Sequence, residues 1–201
     1  MTRSRTRKES DALDRARLAR VAQGDMVAFE SLYADYHDRI ARFLLRLSDD
    51  HALVEEVIND TLYAVWNQAD TFRGSARVST WIMGIAYRKA ISSLRSRERR
   101  KNRENDVALQ AEQRVKSTEI ERTAQSEWIE LALSRLPIEQ RATIELAYLL
   151  GYTCREIAEV QSCPVNTVKT RLFHARRRLR DLLPDLADAI PSGVPQRDDD
   201  D

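Results

Sequence analysis

The residues with the clearest chemistry lie in a basic segment near the C-terminus, at positions 164–180. It carries six Lys or Arg residues and no acidic residue, which is the charge that binding to a phosphate backbone requires. Pro164 fits the first turn of a helix, where no amide donor is needed. Apolar residues at spacings of three and four predict one buried stripe along this helix: Val165, Val168, Leu172, Ala175 and Leu179. A helix that is apolar on one side and basic on the other suits a DNA major groove.

The residues just before this segment predict a second, shorter helix joined to it by a turn. Thr153 and Glu156 stand three apart, the spacing at which a hydroxyl and a carboxylate cap a helix start reciprocally. Residues 161–163 form a connector of turn length. A solvated surface helix is the plainer interpretation of a run of charges. We favour a helix-turn-helix, because the cap, the turn, the stripe and the unbalanced charge coincide.

Two further segments could bind a partner. The break at residues 70–79 combines Phe72 and Gly74 with two arginines. An aromatic ring on a loop can stack an unpaired base, while arginines hold the phosphates. An ordinary interhelical turn with Phe72 in the core explains the same residues equally well, and both interpretations stay open.

The other segment is a predicted helix at residues 51–68. It presents a wedge of acidic and amide side chains, with a tyrosine beside it: Glu56, Asn59, Asp60, Leu62 and Tyr63. Such a wedge suits docking against a basic partner, and the alternative is an ordinary solvated face.

Composition excludes several classes of function. The chain has 201 residues and a formal net charge of +1, so attraction to nucleic acid must come from local clusters of charge. It has no Gly-rich phosphate loop, nucleophile elbow or spaced carboxylate pair, and we expect no enzyme activity and no cofactor. Cys154, Cys163 and His174 lack a fourth ligand, so we expect no metal. Two cysteines, no secretory signal and only short apolar runs predict a cytoplasmic protein without membrane insertion.

The periodicity of apolar residues predicts an all-α protein of two small helical domains joined by a polar linker. A stripe from Phe29 to Leu47 predicts one long helix, and a further helix should run from Trp81 to about Arg95. We place the first domain at residues 10–96, the linker at 97–123, the second domain at 124–186 and a disordered tail at 187–201. In the second domain we expect Ile144, Leu146, Ala147 and Tyr148 to point inward, and the tryptophans Trp66, Trp81 and Trp128 to be core residues.

Four segments in order resemble an extracytoplasmic-function sigma factor, the minimal type with only the second and fourth conserved regions. They begin with Gly24-Asp25 and continue with Val54–Leu62, with Phe72–Ser75 followed by Thr80–Ala90, and with Leu136-Pro137 through Arg171-Leu172. The resemblance spans about residues 24 to 183. Arg88 stands where the family often has Asn, and Asn166 replaces a frequent Gly.

The resemblance implies a subunit that binds core RNA polymerase, at the clamp helices of its largest subunit, and directs initiation at promoters with −35 and −10 elements. It implies promoter DNA and an anti-sigma factor as further partners. The acidic wedge would be the polymerase-binding set. The −10 set would be Phe72, Arg73, Gly74, Ser75, Arg77, Trp81 and Arg88. The −35 set would be Thr153, Arg155, Asn166, Thr167, Lys169, Thr170, Arg171, Phe173, His174, Arg176 and Arg177.

Two rival functions fit parts of the sequence. One is an autonomous helix-turn-helix regulator that binds operators as a dimer, and the other is a nucleic-acid enzyme or accessory factor that docks through the basic helix. Residues 54–62 and 72–90 discriminate, because a dimeric regulator needs neither an acidic docking wedge nor a strand-opening loop.

Overall fold

The computed structural model describes residues 7–105 and 124–182, which are mostly helical and contain no strand. The predicted all-α fold class is therefore confirmed. The helices are α1 Arg7–Val21, α2 Met26–Leu45, α3 His51–Gln68, α4 Val78–Asn105, α5 Ala124–Ser134, α6 Ile138–Ile144, α7 Cys154–Gln161 and α8 Val165–Leu182. A 3₁₀ turn, Ala69–Thr71, follows α3, and a π-helical turn, Glu145–Leu149, follows α6. The chain divides into two compact units, residues 1–90 with 158–162 and residues 91–157 with 163–201.

In the first unit, α2 packs against both α1 and α3. The predicted stripe supplies its buried residues, among them Leu32, Tyr36, Ile40 and Phe43. Each of these is at most 2% exposed, so the stripe lies in a dry core where burial of a large apolar side chain contributes about 1.5–3 kcal/mol.

Aspartates fix where α2 and α3 begin. The Asp25 carboxylate accepts a hydrogen bond from the Ala28 amide at 3.0 Å and pairs with Arg20 at 2.6 Å. The hydrogen bond from Ala28, and then the one from Arg20, hold the pKa of Asp25 below its usual value. The Asp50 carboxylate accepts a hydrogen bond from the Leu53 amide at 3.0 Å. The start of α3, the helix with the acidic wedge, is therefore set by a side-chain cap.

Helix α4 is longer than predicted. The loss of apolar residues near position 96 suggested an end at about Arg95, but the helix continues to Asn105. Its last ten residues are rich in Arg, Lys and Glu, which favour helix without needing a buried face. The first residues of the predicted linker are thus helical, while its remainder, residues 106–123, lies outside the described residues.

In the second unit, α6 packs against α8, and α5 also contacts α8. Ile144 and Leu146 are buried as predicted, but Tyr148 is 40% exposed and that prediction was wrong. The cause is the π-helical turn, in which the Leu150 amide donates to the Glu145 carbonyl at 3.2 Å. Tyr148 lies within this turn, where an i→i+5 pattern rotates less per residue than an α-helix, so the α-helical spacing misplaces its side chain. Ala147 is half-buried.

Candidate nucleic-acid and protein interfaces

Helix α8 has the two-sided character that its sequence predicts. Val168, Leu172, Ala175 and Leu179 are at most 5% exposed. Val165 was wrongly included in the buried stripe, because it is 37% exposed. It is the first residue of α8 and lies about 50° around the helix from the centre of the stripe, at 3.6 residues per turn.

The side of α8 opposite the stripe is exposed and polar, with one aromatic ring. We call it the outer face of α8; its exposed residues are Asn166, Thr170, Phe173, His174 and Arg177. Phe173 is 57% exposed, and its ring meets that of His174 edge-on at 5.4 Å between centroids. An exposed aromatic ring among polar side chains can contact the methyl group of a thymine.

The flanks of α8 differ from each other. Lys169 is exposed, whereas Thr167, Arg171 and Arg176 are half-buried. One guanidinium nitrogen of Arg171, Nη1, lies 3.7 Å from the Cys163 sulfur. Lys169 therefore offers its charge to solvent more fully than Arg171 does.

The predicted capping box at the start of α7 is present. The Thr153 amide and hydroxyl both donate to Glu156 Oε2, at 2.8 and 3.0 Å, and the Glu156 amide donates to Thr153 Oγ1 at 3.3 Å. The Thr153 hydroxyl is thus engaged within the protein, while Arg155 beside it is exposed. Ser162, in the turn before α8, has a φ of 51°. The Pro164 carbonyl accepts a hydrogen bond from the Thr167 amide at 2.9 Å, at the start of α8.

The acidic wedge forms an exposed surface on α3. We call it the α3 surface; it consists of Glu56, Asn59, Asp60 and Tyr63, and Tyr63 is 70% exposed. Leu62 was placed there wrongly, because its side chain is 1% exposed and lies in the core. Six residues beyond Glu56 it has turned about 240° around the helix, at 3.6 residues per turn, and faces inward.

Residues from neighbouring helices complete this surface. Lys89 Nζ pairs with Asp60 Oδ2 at 3.2 Å, and the Tyr33 hydroxyl lies 3.4 Å from Asn59 Oδ1. Tyr33 also stacks on His37 at 5.6 Å. Tyr33 falls within the apolar stripe predicted from Phe29 to Leu47, yet it is half-buried at the edge of this surface. The periodicity of α2 alone could not show how far the neighbouring helices cover this side of it.

The loop between the 3₁₀ turn and α4, residues 72–77, is held on its inner side. Phe72 is half-buried, with the Trp81 ring 5.5 Å away and the Arg15 guanidinium 5.4 Å from its own ring centroid. Trp81 and Trp66 are likewise half-buried, and the side chain of Trp128 lies outside the described ones.

The outer side of the same loop is polar. Arg73 and Ser75 are exposed and Arg77 is half-buried, while Arg88 is exposed further along α4. Gly74 has a φ of +73°, a left-handed conformation that suits glycine. The loop therefore combines a partly accessible aromatic ring with cationic side chains.

Within residues 7–105 and 124–182, no group of three or more His, Cys, Asp or Glu could hold a metal ion. Cys154 and Cys163 are free thiols. No helix in those ranges is both long and apolar enough to cross a membrane.

Two family models match the chain. The model described as sigma-70 region 2 matches residues 32–100, and that described as sigma-70 region 4 matches residues 126–179. The first match includes the α3 surface and the 72–77 loop, and the second includes α7 and α8.

Similar proteins agree with both matches. The ECF RNA polymerase sigma-E factor of Haemophilus influenzae is 30% identical over 83% of this chain and 93% of its own length. The ECF RNA polymerase sigma factor SigM of Mycobacterium tuberculosis is 32% identical over 83% of this chain and 82% of its own. In fold, the chain is similar to the sigma factor RpoE of Bartonella quintana in complex with the anti-sigma factor NepR, with a TM-score of 0.63 and 24% identity. That similarity covers 78% of this chain and 96% of RpoE.

Proposed function

The chain belongs to the extracytoplasmic-function RNA polymerase sigma factors, and from this premise we propose which of its surfaces performs each task. As a sigma factor it binds core RNA polymerase and directs promoter-specific initiation by recognising −35 and −10 elements. Residues 10–96 form the region that binds polymerase and opens the −10 element, and residues 124–186 form the −35 reader, with 97–123 as the linker and 187–201 as the tail. The protein acts in the cytoplasm and has no catalytic activity of its own, because the polymerase performs the chemistry.

The −35 element is read by the outer face of α8. The observation that carries this proposal is the combination of a buried stripe with an exposed opposite side that bears Asn166, Thr170, Phe173 and Arg177. Asn and Thr can bond to base edges in the major groove, and Phe173 can contact a thymine methyl group. Arg177 and Lys169 bind phosphates and fix the register of the helix. Thr153 contributes through the cap that orients α7, since its hydroxyl is already bonded to Glu156.

The −10 element is opened by the 72–77 loop. Phe72 receives an unstacked base, and Arg73 and Arg77 hold the displaced backbone. Ser75 lies in the same loop, and Trp81 and Arg88 follow along α4. The half-burial of Phe72 supports this role, because one part of the ring is anchored while another stays accessible. Stacking of one base on an aromatic ring contributes about 1–3 kcal/mol.

Core polymerase docks on the α3 surface. Its acidic and amide groups, with the exposed ring of Tyr63, suit a basic helical partner. Glu56 is an exposed acid of this surface, and it is the site chosen for a charge reversal. An anti-sigma factor that covers the same surfaces is a further partner, in line with the complex that the Bartonella quintana structure contains.

Glu56→Lys tests the docking surface. It places a like charge against a basic partner, and we expect at least a tenfold loss of affinity for core polymerase, since each decade corresponds to about 1.4 kcal/mol. Asp38→Lys is the matched control, because Asp38 is an exposed acid on α2 with 85% of its side chain accessible. Affinity measured with labelled core enzyme should fall for Glu56→Lys alone, with the helical circular dichroism unchanged. Equal affinities would remove the α3 surface from the interface.

Run-off transcription tests the function as a whole. The purified chain with core polymerase should produce a promoter-dependent transcript that neither gives alone. Tight operator binding by a dimer, with no effect on core polymerase, would instead support the autonomous regulator.

A further inference from the structure

The 72–77 loop and the start of α4, which follows it directly, are bonded to α1 by two side chains, Arg15 and Asp11. Asp11 Oδ1 accepts a hydrogen bond from the Val78 amide at 2.9 Å, at the start of α4. Arg15 donates from Nη2 to the Ala76 carbonyl at 2.7 Å and from Nη1 to the Gly74 carbonyl at 3.3 Å. One short segment of α1 therefore bonds to two residues of the loop, Gly74 and Ala76, and to the first residue of α4.

The two side chains also orient each other. Arg15 Nε donates to Asp11 Oδ2 at 2.7 Å, one helical turn away. All three nitrogens of the Arg15 guanidinium are thus engaged, one by Asp11 and two by the loop. A planar guanidinium can make such a set of contacts, whereas a lysine ammonium acts as a point charge.

The same guanidinium faces the ring of Phe72, at 5.4 Å from its centroid. The absence of a side chain at Gly74 leaves room for this guanidinium, since a Cβ on Gly74 would lie 2.8 Å from Arg15 Nη1. The position of Phe72 is therefore determined on one side by Trp81 and on another by α1. Helix α1 lies outside residues 32–100, the segment that the region 2 model matches.

We propose that Asp11 and Arg15 are positioning residues that hold the 72–77 loop, and Phe72 with it, in the geometry that receives a base from the −10 element. The proposal rests on the function proposed above for this loop. A loop that is ordered before DNA arrives does not lose conformational entropy on binding, so its affinity for the opened strand is higher.

Arg15→Gln in the full chain tests the proposal, with Arg17→Gln as the matched control. Arg17 lies on the same helix and pairs with Asp35 of α2 at 2.6 Å, so its loss removes an α1 ion pair without touching the loop. Two lost hydrogen bonds predict roughly a tenfold weaker binding of a single-stranded −10 oligonucleotide by the holoenzyme. Permanganate reactivity at the −10 thymines should fall in parallel. Affinity for core polymerase and for a −35 duplex should not change.

Arg15→Lys separates positioning from simple charge pairing. Lysine keeps an ion pair with Asp11 at a spacing of four. If that pair were all that mattered, Arg15→Lys would restore oligonucleotide binding to the wild-type level, and the proposal would be overturned. We expect it to stay as weak as Arg15→Gln.

Two further measurements keep the outcomes distinct. The Val78 amide donates to Asp11, and Arg15 orients that carboxylate. Amide hydrogen exchange in the free protein should therefore accelerate at Val78 in Arg15→Gln but not in Arg17→Gln, and equal protection in both would refute the positioning role. Phe72→Ala is assayed alongside. If Phe72→Ala opens promoters normally, the loop function fails; if Phe72→Ala is impaired while Arg15→Gln is normal, only the positioning role fails.

Discussion

Arg177 and Arg178 are sequence neighbours with the same charge, yet they lie on different sides of α8. At 3.6 residues per turn, Arg177 stands about 170° from the centre of the buried stripe and Arg178 about 90° from it. Both are exposed. Charge alone therefore does not distinguish the two arginines as candidates for a DNA contact. Their positions around α8 relative to the buried stripe do distinguish them.

Arg177→Ala should weaken binding of a −35 duplex and lower the salt dependence of that binding. One phosphate contact contributes about 0.9 to the slope of log affinity against log salt concentration. Fluorescence anisotropy of the holoenzyme over a series of salt concentrations measures this slope. Arg178→Ala is the control and should change it by less than half as much. Identical slopes for the two variants would mean that the outer face of α8 does not define the contact.

The contact between α1 and α2 includes a buried carboxyl group. Asp14 is 8% exposed and accepts a hydrogen bond from the Tyr36 hydroxyl at 2.6 Å. Burial raises its pKa above the usual value, although Tyr36 and Arg17 act in the opposite direction; the neighbouring Asp35 and Asp11 also raise it. The folded protein therefore holds a proton on Asp14 up to a higher pH than the unfolded chain does.

Asp14→Asn should show the consequence of this raised pKa. The variant keeps an acceptor for Tyr36 but does not titrate. A folded-state pKa above the unfolded one gives a stability contribution that is full below the unfolded pKa and is lost as the pH rises through the folded pKa. The free energy of unfolding of the wild type, relative to Asp14→Asn, should thus increase as the pH falls from neutral towards the ordinary Asp value. Urea unfolding followed by circular dichroism measures it, and a decrease over that range would contradict the assignment.

Some features of the fold can be predicted from the sequence and others cannot. The apolar stripes of α2 and α8 and the Thr153–Glu156 cap were predicted correctly, because each is a local pattern with a fixed spacing. Leu62 could have been excluded by the same arithmetic, since its angular position on α3 is on the core side. The exposure of Tyr148 could not be predicted, because a π-helical turn has no sequence spacing of its own.

The hydrogen bonds from α1 to the 72–77 loop and the start of α4 could not be predicted from the sequence for another reason. Asp11 and Arg15 meet residues 59 to 67 positions away in the chain. An acid and a base four residues apart occur on many solvated helices, so their spacing does not distinguish a loop contact from an ordinary ion pair. Only tertiary structure reveals which backbone groups lie opposite them.

For the whole molecule, the net charge of +1 hides a strong local separation of charge. Helix α8 is basic, whereas the α3 surface is acidic. Attraction to DNA and to a basic protein surface can therefore operate in one chain without a global field that favours either. This arrangement suits a factor that must hold polymerase and promoter at the same time.

The effects of Phe72→Ala and Arg177→Ala on the activation free energy of open-complex formation should be additive. The two residues fall in different family matches, 32–100 and 126–179, and in our proposal they act on different promoter elements. Changes at distant, independent sites usually add to within about 0.5 kcal/mol, a factor of roughly two. Rates of permanganate-detected opening for the wild type, both single variants and the double variant give the coupling directly. Independent reading of the two elements predicts that the double variant slows opening by the product of the single effects. A double variant no slower than the worse single one would show that both residues serve one common step, and the division of −10 and −35 recognition between the loop and α8 would then be wrong.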